Sequence, residues 1–141
     1  MKILLPTDGS KNALRAVKYA VRLSKLTKDP VSVTLISVHD DAALRHAQRF
    51  VGKKAVDEYL RDLCEADMIE ARRVLDRAGV KHDMIIRTGH VASEIAKAGA
   101  DGKYEMIVLG SKGRSALKNL LLGSIATQVA ALSAIPVLLV R

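Results

Sequence analysis

The sequence predicts an α/β fold in which a single open parallel sheet of five strands carries helices on both faces. Short apolar runs alternate regularly with longer segments of helical periodicity, and the pattern closes on a fifth apolar run. One of these runs, Met106–Leu109, is apolar throughout, as is typical of a parallel strand buried on both faces. With 141 residues the chain has the usual size of one compact domain, and we expect residues 1–141 to form one.

The five predicted strands share a short apolar core and a loop-forming residue at one end or both. They are Lys2–Leu5, Val31–Val38, Lys81–Arg87, Met106–Leu109 and Pro136–Val140. The second is rich in β-branched residues, which favour strands. Pro136 is acceptable because a proline at the first position of a strand removes no needed hydrogen bond.

Helical periodicity fills the segments between the strands. The first helix has Ser10 as its N-cap, carries its apolar residues on one face and ends near Lys28–Pro30. The polar segment 39–52 is predicted as a loop with a short helical piece, and a long helix then runs over 53–78 until Gly79 ends it. Two further helices complete the set: one capped by His90 and closed by Gly99 and Gly102, and one opened by Gly123-Ser124 that carries Ile125, Val129 and Leu132.

The functional site is expected where the winding of the sheet reverses. In open parallel sheets, ligands bind beyond the carboxyl ends of the strands at such a point. If the first three strands wind one way and the last two the other, the strand order is 3-2-1-4-5. The reversal then lies between strands one and four, so Pro6–Asp8 would face Gly110–Gly113 across a crevice. Val38 at the end of strand two would supply an apolar wall.

The segment after strand four has the composition of a phosphate cradle. Gly110 and Gly113 can expose backbone N–H groups, and Lys112 and Arg114 add positive charge. Gly123-Ser124 opens a helix, and a helix N-terminus favours anions. A mononucleotide fits this polarity, with Asp8 accepting hydrogen bonds from the base or ribose. The alternatives are an ordinary connecting loop and, for Asp8, an ordinary turn residue.

The glycine spacing resembles that of a known family. Gly110 and Gly113 are followed after nine residues by Gly123-Ser124, and this pattern marks the ATP-binding members of the universal stress protein family. The opening ILLPTDGS, the passage RTGHVASEIAKAGADGKYEMIVLGSKGR and the closing IPVLLVR are also similar to that family. The resemblance covers the whole chain, most weakly between Asp40 and Glu70. It implies a Rossmann-like fold and a stress-response function.

The resemblance also implies a ligand and its contacts. The ligand is ATP or another adenine nucleotide, with any Mg2+ carried by the nucleotide. Pro6, Thr7 and Asp8 would lie near adenine and ribose, and Val38 would pack on the adenine. The implied ribose contacts are Leu109 and Gly110, and the implied phosphate contacts are Gly113, Gly123, Ser124 and Ile125. Lys112 and Arg114 are added for their charge alone. A homodimer that pairs the final strands, Val137–Val140, is implied as well.

The sequence offers little support for catalysis. It contains neither a GxxxxGK[ST] loop nor a GxGxxG fingerprint. The carboxylates expected near the crevice are Asp8, Asp40 and Asp41, and Ser124 has no evident base. The four histidines show no metal-ligand spacing, so we predict neither catalytic nor metal-binding residues. A nucleotide-binding regulatory protein is the first hypothesis. A slow ATPase or phosphotransferase is the second, and a basic adaptor for nucleic acid or protein is the third.

Composition narrows the cellular setting. The net charge is +8, but the positive residues are spread along the chain and aromatics make up only 3%, which disfavours nucleic acid as the partner. An N-terminal apolar stretch that Pro6 and Asp8 interrupt is too short for a signal peptide, and no apolar run has membrane-spanning length. A cytoplasmic location is therefore expected. The single cysteine, Cys64, is predicted to be a buried structural thiol.

Overall fold

A five-stranded parallel sheet in the order β3-β2-β1-β4-β5 forms the centre of the fold. This computed structural model describes residues 1–114, 119 and 121–141. The strands are β1 Lys2–Pro6, β2 Ser32–His39, β3 Lys81–Thr88, β4 Met106–Gly110 and β5 Val137–Val140. Each neighbouring pair is parallel. The predicted α/β class and the predicted strand order are both confirmed.

Helices connect successive strands and cover both faces of the sheet. They are α1 Lys11–Leu26, α2 Arg45–Val51, α3 Lys53–Ala78, α4 Val91–Asp101 and α5 Ser124–Leu132, with a short 3-10 helix at Ala42–Leu44. The short helical piece predicted within 39–52 is therefore confirmed, as the 3-10 helix followed by α2. The nine-residue spacer of the glycine pattern, 114–122, lies partly outside the described residues.

Local capping accounts for most helix ends. The Ser10 hydroxyl oxygen accepts a hydrogen bond from the Ala13 N–H at 3.1 Å, and His90 accepts one from the Ser93 N–H at 3.4 Å. Gly79 ends α3 in the left-handed conformation with φ of 67°. All three predicted caps are confirmed.

One detail of the predicted helices was wrong. Gly99 does not end α4 but lies buried within it, and the C-cap is Gly102. A glycine suits this interior position because a Cβ there would approach Ile107 Cδ1 at 3.0 Å. Helix α1 ends at Leu26, near the predicted end at Lys28–Pro30, because its C-cap Thr27 turns to extended backbone. Helix α5 carries Leu132 as predicted, and this last residue of the helix is 54% exposed.

The apolar core forms two layers, one on each face of the sheet. Alternation along β1 shows the division, because Ile3 and Leu5 face α1 and α3 whereas Leu4 faces α4 and α5. The lone thiol of Cys64 is buried on α3, as predicted, and its Sγ–H lies 3.8 Å from the Ser37 carbonyl oxygen. Burial raises the pKa of this thiol, so Cys64 stays protonated. Among the described residues, no helix has both the length and the apolarity needed to cross a membrane.

The winding reverses between β1 and β4, which pair directly through Ile3 with Met106 and Leu4 with Ile107. The chain moves outward from β1 to β2 and β3, then crosses back to β4 and β5. Beyond β4, the Ser111 N–H donates to the Val140 carbonyl at 2.8 Å, which fixes the start of the following loop. The loops after β1 and β4 therefore leave the sheet side by side at its carboxyl edge, as predicted.

Candidate functional site

A cavity of about 200 Å3 opens at the carboxyl ends of β1, β2 and β4. Nine of the twelve predicted site residues line it: Pro6, Thr7, Asp8, Val38, Leu109, Gly110, Lys112, Gly113 and Ile125. Gly123, Ser124 and Arg114 are not among the described lining residues. The sequence prediction thus located this cavity from the strand order and the two loops.

One side of the cavity is apolar, and sequence reasoning identified only part of it. Ile36 and Val38 project from the same face of β2, and Val91 and Ile95 project from α4. Ala13 and Ala126 complete the lining residues that were missed. The alternation of β2 could have indicated Ile36, because residues two apart share a face of a strand. No comparable signal shows how far the α4 side chains reach toward the sheet.

The opposite side is polar, and there Asp8 joins the β1 loop to the glycine loop. Its Oδ1 accepts a hydrogen bond from the Ser10 N–H at 2.9 Å, and its Oδ2 accepts one from the Arg114 N–H at 3.1 Å. A Cβ added to Gly113 would lie 3.0 Å from Asp8 Oδ2. Asp8 is therefore a turn residue whose carboxylate also accepts a hydrogen bond from the glycine loop. Each carboxylate oxygen keeps a further lone pair that a ligand could use.

The amino end of α5 borders the same polar side. Gly123 is its buried N-cap, and the Gly123 N–H donates to the Ser111 carbonyl oxygen at 2.6 Å. The next amides, at Ser124, Ile125 and Ala126, belong to the first turn and have no intrahelical acceptor. No described side chain caps them. Because Ile125 and Ala126 line the cavity, the positive end of the α5 dipole lies at its edge.

Arg114 contacts Asp8, which lines the cavity, and Asp67, which is not among the described lining residues. Its Nε donates to the Asp8 carbonyl oxygen at 2.6 Å, and its guanidinium forms an ion pair with the carboxylate of Asp67. Asp67 lies on α3 and is only 6% exposed. Its position was missed by sequence reasoning, although it occurs at helical spacing from Leu60 and Cys64 and therefore on the buried face of α3.

His39 and Thr7 complete the surroundings of Asp67. His39 Nε2 lies 2.8 Å from Asp67 Oδ2, and the Thr7 hydroxyl donates to the Asp67 carbonyl oxygen at 3.3 Å. Burial is the main cause that lowers the pKa of His39, the Arg114 charge adds to it, and Asp8 opposes it. The neutral imidazole then donates its Nε2–H to Asp67. We name Asp67, Arg114 and His39 the Asp67 cluster.

Comparison with known proteins identifies the family. Residues 1–141 match the Universal stress protein family over the whole chain. The chain belongs to this family. Universal stress protein MJ0577 of Methanocaldococcus jannaschii is 31% identical over 154 residues, which cover 99% of this chain and 94% of that protein. The solved structure of MJ0577 superposes with a TM-score of 0.85 at 32% identity, again over 99% and 94% of the two chains.

Two solved universal stress proteins contain nucleotides. One is a complex with cAMP, at a TM-score of 0.63 and 23% identity, covering 100% of this chain and 97% of that one. The other, from Archaeoglobus fulgidus, is a complex with dAMP, at a TM-score of 0.64 and 18% identity, covering 100% and 98%. At these identities the likeness to this universal stress protein is one of fold.

Local partners occupy Asp40, Asp41 and His82 in this universal stress protein. Asp40 accepts from the Ala42 N–H at 2.8 Å, and Asp41 pairs with Arg45 at 3.5 Å. His82 Nδ1 lies 3.0 Å from the Val80 carbonyl oxygen. Within the described ranges, no three His, Cys, Asp or Glu side chains form a group that could hold a metal ion.

Proposed function

We propose that this universal stress protein binds an adenine nucleotide, with ATP as the first candidate, in the cavity between β1 and β4. One observation carries the proposal. The cavity is apolar on the side formed by β2 and α4, and it is bordered on the other by the glycine loop and the amino end of α5. An aromatic base prefers the first environment, and phosphates prefer the second.

The proposed contacts follow from this polarity. The base packs on Val38 and Ile36, with Pro6, Thr7 and Asp8 along its edge and the ribose. Leu109 and Gly110 contact the ribose. The phosphates are held by Gly113, by the first-turn amides of Ser124 and Ile125 that follow the N-cap Gly123, and by the charge of Lys112. Arg114, which contacts Asp67 and Asp8, acts on the phosphates indirectly.

The choice of an adenine nucleotide has support from related proteins. Members of the family have been solved with cAMP and with dAMP, which share the adenine base and at least one phosphate. Any Mg2+ would be carried by the nucleotide. Its phosphates would supply the ligands that the described residues do not group together.

We further propose that the bound nucleotide regulates and is not turned over rapidly. Asp8 is the one carboxylate among the described lining residues, and both its oxygens already accept backbone N–H groups. Both oxygens are thus engaged in holding the two loops, so the described lining offers no unengaged carboxylate to serve as a general base. Nucleotide binding would then set a conformation that a partner reads.

Isothermal titration with ATP and Mg2+ tests the binding step. Wild type is expected to bind, and Gly113→Ala to bind about tenfold or more weakly, because the methyl group pushes Asp8 away from the loop. Gly99→Ala is the control for tighter packing away from the cavity, since its Cβ would lie 3.0 Å from Ile107 Cδ1 and 3.3 Å from Ile135 Cδ1 in the core. No binding by wild type at millimolar ATP refutes the proposal. ATP recovered unchanged after hours supports regulation, and steady release of phosphate favours the ATPase alternative.

A homodimer through β5 is the second part of the proposal. Strand β5 forms one edge of the sheet, pairs with β4, and its residues Val137–Val140 are only half-buried. An apolar edge of this kind is stabilised when a second copy covers it. Light scattering on the wild-type protein as it elutes from a size-exclusion column should give twice the mass of one chain. Leu139→Arg should reduce the measured mass to that of one chain. A wild-type monomer at high micromolar concentration contradicts this part.

A further inference from the structure

We propose that Asp67 is a positioning residue for nucleotide phosphates, which acts by holding the glycine loop through Arg114. The inference rests on the proposed nucleotide function and extends the site to α3. Asp67 itself is not among the described residues that line the cavity. Its influence on a ligand would therefore pass through the residue that follows Gly113.

The first argument concerns the cost of burying Asp67. Its side chain is 6% exposed in the part of α3 that faces the carboxyl edge of the sheet. A carboxylate in such a place is unfavourable unless charged or hydrogen-bonding partners surround it. Arg114 and His39 are those partners, and they come from the glycine loop and from the end of β2. The carboxylate thus joins α3 to two other segments, the glycine loop and the end of β2.

The second argument concerns how completely Arg114 is held. Its backbone N–H donates to Asp8 Oδ2 at 3.1 Å and its Nε to the Asp8 carbonyl oxygen at 2.6 Å, while the guanidinium pairs with Asp67. Arginine is suited to this task because its planar group donates several hydrogen bonds in fixed directions. The side chain therefore crosses the β1 loop from the glycine loop to α3.

The third argument concerns what this attachment does for phosphate binding. Gly113 immediately precedes Arg114, so an anchored Arg114 restricts the positions open to the Gly113 amide. A glycine-rich loop loses much conformational freedom when it orders around a ligand. A loop held in place beforehand avoids part of that loss, and the benefit reaches only those ligand groups that the loop contacts. Phosphates would gain from it, whereas the base on the β2 side would not.

The experiment compares ATP with adenosine, using Asp67→Asn. Calorimetry for ATP and competition for adenosine should show an ATP affinity about tenfold lower and an adenosine affinity unchanged within about twofold, as loss of a charged hydrogen-bond partner predicts. Asp62→Asn is the matched control, because Asp62 lies on the same helix with an exposed side chain. It should bind both ligands as wild type does.

A double-mutant cycle identifies the route of the effect. If Asp67 acts through Arg114, then Arg114→Gln should weaken ATP binding to a similar extent, and the double variant should be no weaker than either single one. Full additivity of the two losses would overturn the inference. An equal loss for ATP and adenosine would overturn it as well, since that is the result expected of general damage to the fold.

Two further outcomes keep the inference separate from the proposed function. A wild-type protein that binds neither ligand removes the proposed function, whereas tight wild-type ATP binding with no change in Asp67→Asn removes only the role of Asp67. If Asp67→Asn fails to fold, the ATP affinity of Arg114→Lys tests the inference instead. This variant should fold, because the Arg114 side chain is 56% exposed and lysine keeps the positive charge. Loss of the planar guanidinium should then weaken ATP binding but not adenosine binding. An ATP affinity equal to that of wild type would overturn the inference.

Discussion

Gly110 provides the sharpest test of how the site is built, because its missing side chain is required by packing. A Cβ added to Gly110 would lie 2.7 Å from the Asn12 carbonyl carbon and 2.8 Å from its oxygen. The Ala13 nitrogen would be 3.1 Å away. All three are backbone atoms in the first turn of α1, so no side-chain rotation can relieve the contact. Gly110→Ala must therefore displace either α1 or the end of β4.

The size of the effect follows from these distances. Non-bonded carbon atoms normally approach to about 3.5 Å, so the new methyl group is short of space by roughly 0.8 Å. Overpacking of a well-filled region costs about 1–3 kcal/mol, and rigid backbone on the opposing side favours the upper half of that range. We expect a loss of about 2–3 kcal/mol in the free energy of unfolding. For a chain of this length that corresponds to a fall in Tm of about 6–12 °C.

Urea and thermal unfolding, followed by circular dichroism, measure this loss. Gly113→Ala is the control in the same loop, because its Cβ meets only the movable end of the Asp8 side chain, at 3.0 Å. We expect that control to lose less than about 1 kcal/mol. If Gly110→Ala unfolds within about 0.5 kcal/mol of wild type, or no earlier than Gly113→Ala, α1 does not restrict this glycine and the packing argument is wrong.

Two further predictions concern buried polar groups on β2. Ser37→Ala should leave the free energy of unfolding unchanged or raise it by up to about 1 kcal/mol. The reason is that the buried Ser37 hydroxyl has no hydrogen-bond partner within the described residues. A loss above about 1 kcal/mol in urea unfolding would contradict this prediction. The pKa of His39, facing Asp67, Arg114 and Asp8, should lie below its usual 6.5 in an NMR titration. The folded protein then binds fewer protons than the unfolded chain, so the contribution of His39 to stability is complete above pH 6.5 and is lost as the pH falls through the lowered value. His39→Gln should remove that part of the pH dependence, and a titration at or above 6.5 would refute the assignment.

The sequence predicted the architecture because burial on both faces leaves a distinctive pattern. A strand such as Met106–Leu109 between two helical layers must be apolar at every position, and few other structures demand that. The strand order was a supposition about where the winding reverses, and it placed the two polar, glycine-containing loops side by side. The capping residues could also be predicted from the sequence, because Ser10 and Gly79 act on their own helix ends and need no distant partner.

The Asp67 cluster shows where this kind of reasoning stops. Periodicity assigns Asp67 to the buried face of α3 but does not reveal which segment lies opposite. Its partners His39 and Arg114 are 28 and 47 residues away in the chain. Their meeting depends on the angle at which α3 packs over the sheet, and no local pattern encodes that angle. The apolar cavity wall from Val91 and Ile95 escaped prediction for the same reason.

The two basic residues of the glycine loop, Lys112 and Arg114, differ in a way that the sequence does not show. Lys112 and Arg114 are indistinguishable by sequence as phosphate contacts, yet Lys112 lines the cavity while Arg114 reaches Asp8 and Asp67. A side chain paired with a buried carboxylate has part of its charge compensated, so it adds less to the attraction of an anion than its formal charge suggests. We propose that Arg114 contributes to the site by holding the glycine loop in place. The first turn of α1 restricts this loop at Gly110, and Asp67 on α3 restricts it at Arg114. Between these two points lie the Lys112 side chain and the Gly113 amide, two of the groups we propose to contact the phosphates.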